Sequence, residues 1–167
     1  FGIVYGQSAF GLAKGLGISR EEAQEFIDAY FRRYSGVRAW LDRTVEEARE
    51  QGVVRTIYGR IRPVPEMRSK DHNVRNFGER IAVNSPIQGT AADIVKIAMI
   101  RVHRALAGRG ERVRILLQVH DELVLEAPEA EADEVGRLVR GEMEGAAELA
   151  VPLKVDLRAA DNWMDMK

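Results

Sequence analysis

The chain has 167 residues, of which 46% are hydrophobic and 31% charged, with a formal net charge of −1 and no cysteine. That is enough for one ordinary domain with a real core, or barely two small ones. Disulfides and thiolate metal sites are excluded, no apolar run approaches the ~20 residues of a membrane span, and no signal peptide opens the chain. Charge is unevenly spread. Residues 53–80 carry Arg55, Arg60, Arg62, Arg68, Lys70, Arg75 and Arg80 against Glu66, Asp71 and Glu79, whereas 126–148 is mostly acidic. A basic stretch of this kind suits a phosphate-facing surface or a solvated face equally.

The chain opens on "FGIVYG", too short to classify by period and without an initial Met, so it is expected to be cut from a longer polypeptide. Ser8 is placed to cap a short helix ending at the Gly15/Gly17 pair. Ser19 and Glu22 form a capping box for a helix whose apolar face carries Ala23, Phe26, Ile27, Tyr30, Phe31 and Tyr34. A further helix is predicted from about Val37 to Gln51, with Gly52 as its stop. "VVRTIYGRIRPVP" reads as a hairpin turning at Tyr58-Gly59-Arg60, its second arm held to an edge by Pro63 and Pro65.

From about Asn73 to Ala107 the pattern is helical, with a kink or break expected near Asn84-Ser85 because Pro86 removes a ladder donor and clashes with the preceding turn. Val113–Val119 and Glu122–Glu126 read as strands. Pro128 suits the first turn of a helix reaching about Glu148, and "VPLKVDLR", Val151 to Arg158, reads as a last strand. The class expected is α+β: a helical first lobe with a small hairpin, then an antiparallel sheet with helices on one face.

The run "LLQVHDELVLE", Leu116 to Glu126, sets His120, Asp121 and Glu122 in the middle of aliphatic strands. A plain β-turn with polar residues at its tip accounts for this pattern. The flanks, however, imply a hairpin with covered faces, where two carboxylates repel and lose hydration unless a cation neutralises them. Oxygen donors without thiolates suit Mg²⁺ or Mn²⁺. Strand neighbours face opposite ways, so Asp121 is expected as the direct ligand, with Glu122 nearby or acting through water. A two-metal centre needs carboxylates from more than one segment, its ions ~4 Å apart. Asp93, in a helical pattern, is expected to pack or cap, and Asp156 to be an outward strand residue. The site is therefore incomplete.

Four motifs resemble one family in its own order. "QVHDELVLE" is similar to the last catalytic motif of family A DNA polymerases. "FGIVYG" resembles the closing half of their fingers-helix motif, Arg-x-x-x-Lys-x-x-x-Phe/Tyr-G-x-x-Tyr-G. "ERIAVNSPIQGTAAD", Glu79 to Asp93, resembles the long palm helix, and "DNW" the usual ending. The resemblance implies fingers over residues 1–66 and palm over 67–167. It also implies template-directed nucleotidyl transfer in DNA replication and repair, using two Mg²⁺ ions (or Mn²⁺), a DNA primer–template and deoxynucleoside triphosphates, in the bacterial cytoplasm at the nucleoid. The family's first catalytic Asp, on an Asp-Tyr-Ser-Gln-x-Glu strand, and the triphosphate-binding Arg and Lys would lie on the remainder of the chain. The isolated 167 residues are therefore expected to be inactive.

Residue by residue, the resemblance makes Asp121 the second metal carboxylate, with Glu122 in support and His120 near the primer terminus backbone. Tyr5 and Gly2 fall at the template position, and Phe1 faces the incoming sugar. Arg80, Asn84 and Gln88, spaced four apart, share a helical face toward the primer–template, where Asn and Gln can meet minor-groove acceptors common to all base pairs. Gln118 belongs to the same region. "LRAADNW" departs from the family, with Ala159 and Ala160 where a Gly-rich turn is usual. Other readings are a non-catalytic nucleic-acid-binding module, a phage-type single-subunit RNA polymerase (which usually carries Ser after the Asp), and a metal-dependent hydrolase, which lacks a second carboxylate cluster here.

Overall fold

The structure, a computed structural model, describes residues 2–166. It divides into two compact units, Phe1–Thr90 and Ala91–Lys167.

In the first unit, helix α1 spans Ala9–Leu16, with Ser8 Oγ accepting from the Gly11 N–H and Gly17 closing the end at φ 69°. Helix α2, Arg20–Arg33, starts on the full capping box, Ser19 and Glu22 each accepting the other's backbone N–H. The bond from the Ser19 backbone foremost, and the Ser19 side chain after it, hold the Glu22 carboxyl below its ordinary 4.5. Leu12, Ala23 and Ile27 form one small core with Phe31 against it. Phe26 and Tyr34 are instead 57% and 50% exposed. The apolar face read from the sequence is broader than the surface α1 can cover.

Helix α3, Ser35–Gln51, stops at Gly52 with φ 73°. Strands β1, Val53–Arg55, and β2, Ile61–Pro63, pair antiparallel, Val54 opposite Arg62. A 3-10 turn at Pro65–Arg68 follows, and Ala48, Val54, Val64, Met67 and Ala82 make the second core.

Helix α4 runs His72–Leu106 without interruption, Pro86 inside it. The expected break at Asn84-Ser85 does not occur. Pro86 costs one ladder bond in a 35-residue helix, and the turn before it is anchored by buried Ala82 and Val83.

In the second unit, β3, Arg114–Val119, and β4, Glu122–Glu126, form a two-stranded antiparallel sheet. Its register slips at Leu116: Ile115 pairs Leu125, whereas Leu117 pairs Val124. The extra residue is a β-bulge. Helix α5 covers Ala132–Glu144 after a 3-10 turn at Glu129–Glu131. Ile115, Leu123 and Leu125 pack on a core of Val102, Leu106, Val113, Val135 and Val139, so helices back one face. The molecule is α+β, as its pattern predicts.

Three expectations need correction in this unit. The flanks are not covered on both faces: Leu116 and Leu117 are 47% and 48% exposed, because helices lie on one side of a two-stranded sheet. The helix after Pro128 stops at Glu144, where the Gly145 N–H turns back to the Gly141 and Met143 carbonyls. Val151–Arg158 is not a strand, since among the described residues no neighbour offers its backbone a ladder. Among the described residues, no helix is long and apolar enough to cross a membrane.

Candidate functional site

Asp121 stands at the tip of the β3–β4 hairpin. Val119 pairs Glu122, which leaves His120-Asp121 as a two-residue turn. His120 has φ 54°, and it is the one non-glycine residue with positive φ among those described. A positive φ at a turn residue other than glycine carries a steric cost that the rest of the hairpin must offset. The Gln118 side-chain amide donates to the His120 carbonyl and straps the turn to β3.

Asp121 and Glu122 are both exposed, and no described side chain or backbone group hydrogen-bonds or ion-pairs with either carboxylate. The low-dielectric cost inferred from the sequence is thus avoided by exposure. What remains is two adjacent carboxyl groups with no hydrogen-bond or ion-pair partner among the described residues. Both line a cleft of about 640 Å³, together with β4, α5 and the extended segment of residues 154–160. Leu123 and Leu125 form part of its apolar wall, and Lys154, Asp156 and Arg158 also line it.

Asp156 therefore does more than face outward from a strand. It lines the cleft that holds Asp121, a placement that spacing could not reveal because it depends on where the unpaired tail lies. Lys154, Arg158 and Trp163 were missed for the same reason. Asp93 is buried at 5% exposure and is partnered, in keeping with a packing or capping role. Among the described residues no group of three or more His, Cys, Asp or Glu could hold a metal. The donors do fit a share of a hard-cation site. Mg²⁺ commonly takes one or two protein carboxylates and completes its shell with water and phosphate oxygens.

The first unit holds the other expected residues. Arg80, Asn84 and Gln88 lie on uninterrupted helix, so their i, i+4, i+8 spacing does place them on one face, spanning ~12 Å. Arg80 is exposed, its guanidinium 5.7 Å from the Phe77 ring centroid and its stem beside Gly6. Gln88 is exposed, whereas the Asn84 Oδ1 is buried without a hydrogen-bond partner.

Residues 2–6 form consecutive turns rather than helix. The Tyr5 and Gln7 N–H groups both donate to the Gly2 carbonyl, and Gly6 has φ 82°. A side chain at Gly2 would run into the Gln7 amide. Tyr5 is half-buried and comes into the neighbourhood of Arg80 through Gly6. Phe1 lies outside the described residues.

The chain belongs to DNA polymerase family A, whose description matches residues 1–165. It is 50% identical over all 167 residues to DNA polymerase I of Lactococcus lactis, of which it covers 19%. It is 48% identical to the thermostable DNA polymerase I of Thermus aquaticus, covering 20% of that protein. Among solved structures it is similar to the polymerase domain of Pol1 from M. smegmatis in complex with DNA primer-template and dNTP. That match has a TM-score of 0.87 and 50% identity, over 92% of this chain and 27% of that one. The chain thus spans about one fifth of the length of its curated relatives.

Proposed function

We propose that these residues are the C-terminal fingers and palm portion of a DNA-directed DNA polymerase, with fingers over 1–66 and palm over 67–167. The observation that carries the reading is the unpaired Asp121–Glu122 tip beside an open cleft, in a chain of this family. Asp121 would hold a divalent cation, with Glu122 in support. Bound there, Mg²⁺ supplies charge neutralisation at the reacting phosphate and lowers the pKa of the attacking hydroxyl.

The chain's own residues do the rest. His120, one of the two turn residues, would approach the primer terminus. Arg80 brings an exposed guanidinium to the nucleic-acid backbone, and Asn84 and Gln88 offer amides to minor-groove acceptors, with Gln118 in the same region but its amide bound to the His120 carbonyl. Phe1, Gly2 and Tyr5 serve the template and incoming nucleotide position. The partners are a DNA primer–template and deoxynucleoside triphosphates, and the setting is the bacterial cytoplasm at the nucleoid. The complementary carboxylate comes from the rest of the polymerase chain.

On this reading the 167 residues alone do not extend a primer in Mg²⁺, and robust extension by the purified chain would overturn it. Within the longer polymerase, Asp121→Ala abolishes extension while primer–template affinity stays nearly unchanged. Extension at comparable rate by that variant would remove Asp121 from the metal site.

A further inference from the structure

We propose that Gln118 is a positioning residue for the Asp121 carboxylate, acting through the His120 carbonyl; the proposal rests on the metal reading of the hairpin given above. The tip of the hairpin is the peptide joining His120 to Asp121, and its orientation sets where the Asp121 backbone begins. His120 has φ 54°, in the left-handed half of backbone space that glycine occupies without cost and histidine does not. A bond that holds the His120 carbonyl favours this strained arrangement.

The Gln118 amide makes that bond, donating to the His120 carbonyl oxygen of the peptide that joins His120 to Asp121. Because that peptide is planar, fixing its oxygen also fixes the Asp121 N–H and, with it, the start of the Asp121 backbone. The carboxylate makes no bond of its own among the described residues, so this strap is the polar constraint upstream of it. The side chain that the family resemblance offers to the primer–template is thus already engaged within the hairpin.

The test uses the longer polymerase that carries these residues and the complementary carboxylate, Mn²⁺ as the probe, and broadening of backbone amide resonances as the readout. In the unsubstituted chain, Mn²⁺ broadens Asp121 and Glu122 with a common midpoint. Gln118→Met keeps the stem and loses the donor; it raises that midpoint about threefold to tenfold, the worth of one neutral hydrogen bond. It also shifts the His120 carbonyl carbon resonance as that oxygen loses its donor. Gln118→Ala gives the same increase.

An unchanged Mn²⁺ midpoint in Gln118→Met overturns the positioning role. So does an effect in Gln118→Ala that Gln118→Met lacks, since packing would then be responsible. If Mn²⁺ leaves Asp121 and Glu122 sharp in the unsubstituted chain, the metal reading falls, and the positioning role falls with it.

Discussion

Gly78 and Gly141 both lie inside helices, and the same substitution at the two should act in opposite directions. In an open helix, Gly→Ala gains roughly 1 kcal/mol from propensity. Around Gly141 nothing lies within 4 Å of an added Cβ, so that gain should appear almost whole, about 0.5–1 kcal/mol. At Gly78 the added carbon would lie 2.9 Å from the Glu66 Cβ, 3.0 Å from the Met67 nitrogen and 3.1 Å from the Glu66 carbonyl carbon. Carbon pairs settle at ~3.5–4.0 Å, so one backbone must retreat by about half an ångström. The 3-10 turn cannot retreat freely, because Val64 and Met67 on either side of Glu66 are core residues at 0% and 7% exposure. Overpacking of this kind costs ~1–3 kcal/mol, which outweighs the propensity gain and leaves Gly78→Ala less stable by about 1–2 kcal/mol.

The two tryptophans allow each unit to be followed separately. Trp40 reports the first unit in a Trp163→Phe background, and Trp163 reports the second in a Trp40→Phe background. With a urea slope of ~1–3 kcal/mol/M, Gly78→Ala should lower the Trp40 midpoint by roughly 0.5–1 M, while Gly141→Ala raises the Trp163 midpoint. A Gly78→Ala chain as stable as its parent would refute the close approach of the turn to α4.

At the hairpin tip, His120→Gly should be more stable than His120→Ala by about 1 kcal/mol, because alanine keeps the left-handed strain and glycine does not; equal stability by urea titration would contradict the positive φ. Ser19→Ala should cost helix α2 about 1 kcal/mol through loss of its cap, read by circular dichroism. Glu22→Gln instead removes a pH dependence. The Glu22 carboxyl is depressed in the fold, so its contribution is present above the ordinary value of 4.5 and is lost as pH falls through the lowered one. The stability difference between Glu22→Gln and its parent, followed by acid titration, should be largest above that window and shrink below it. For the site itself, Asp121→Asn in the longer polymerase should abolish extension as Asp121→Ala does, since a neutral amide keeps the shape but not the charge; substantial extension by it would mean that Asp121 acts by hydrogen bonding.

What the sequence determined by itself is local. Ser8, Ser19, Gly17 and Gly52 act on backbone groups a few residues away, so the ends of α1, α2 and α3 fall where their chemistry puts them. The two hairpins follow for the same reason, and the acid tip of the second was legible because two-residue turns set register by counting. Tertiary structure decided the rest. Val151–Arg158 has the alternation of a strand, but a strand exists only where a neighbour completes its ladder. Phe26, Leu116 and Leu117 have core composition, yet burial depends on how much surface the partner element presents. Pro86 disturbs one hydrogen bond, and packing around Ala82 and Val83 carries the helix past it. Asp156 joins the cleft of Asp121, and Gln118 turns to the His120 carbonyl, because both depend on where distant or flexible atoms come to rest. Residue type announces capacity for chemistry, and three-dimensional proximity selects which capacity is used.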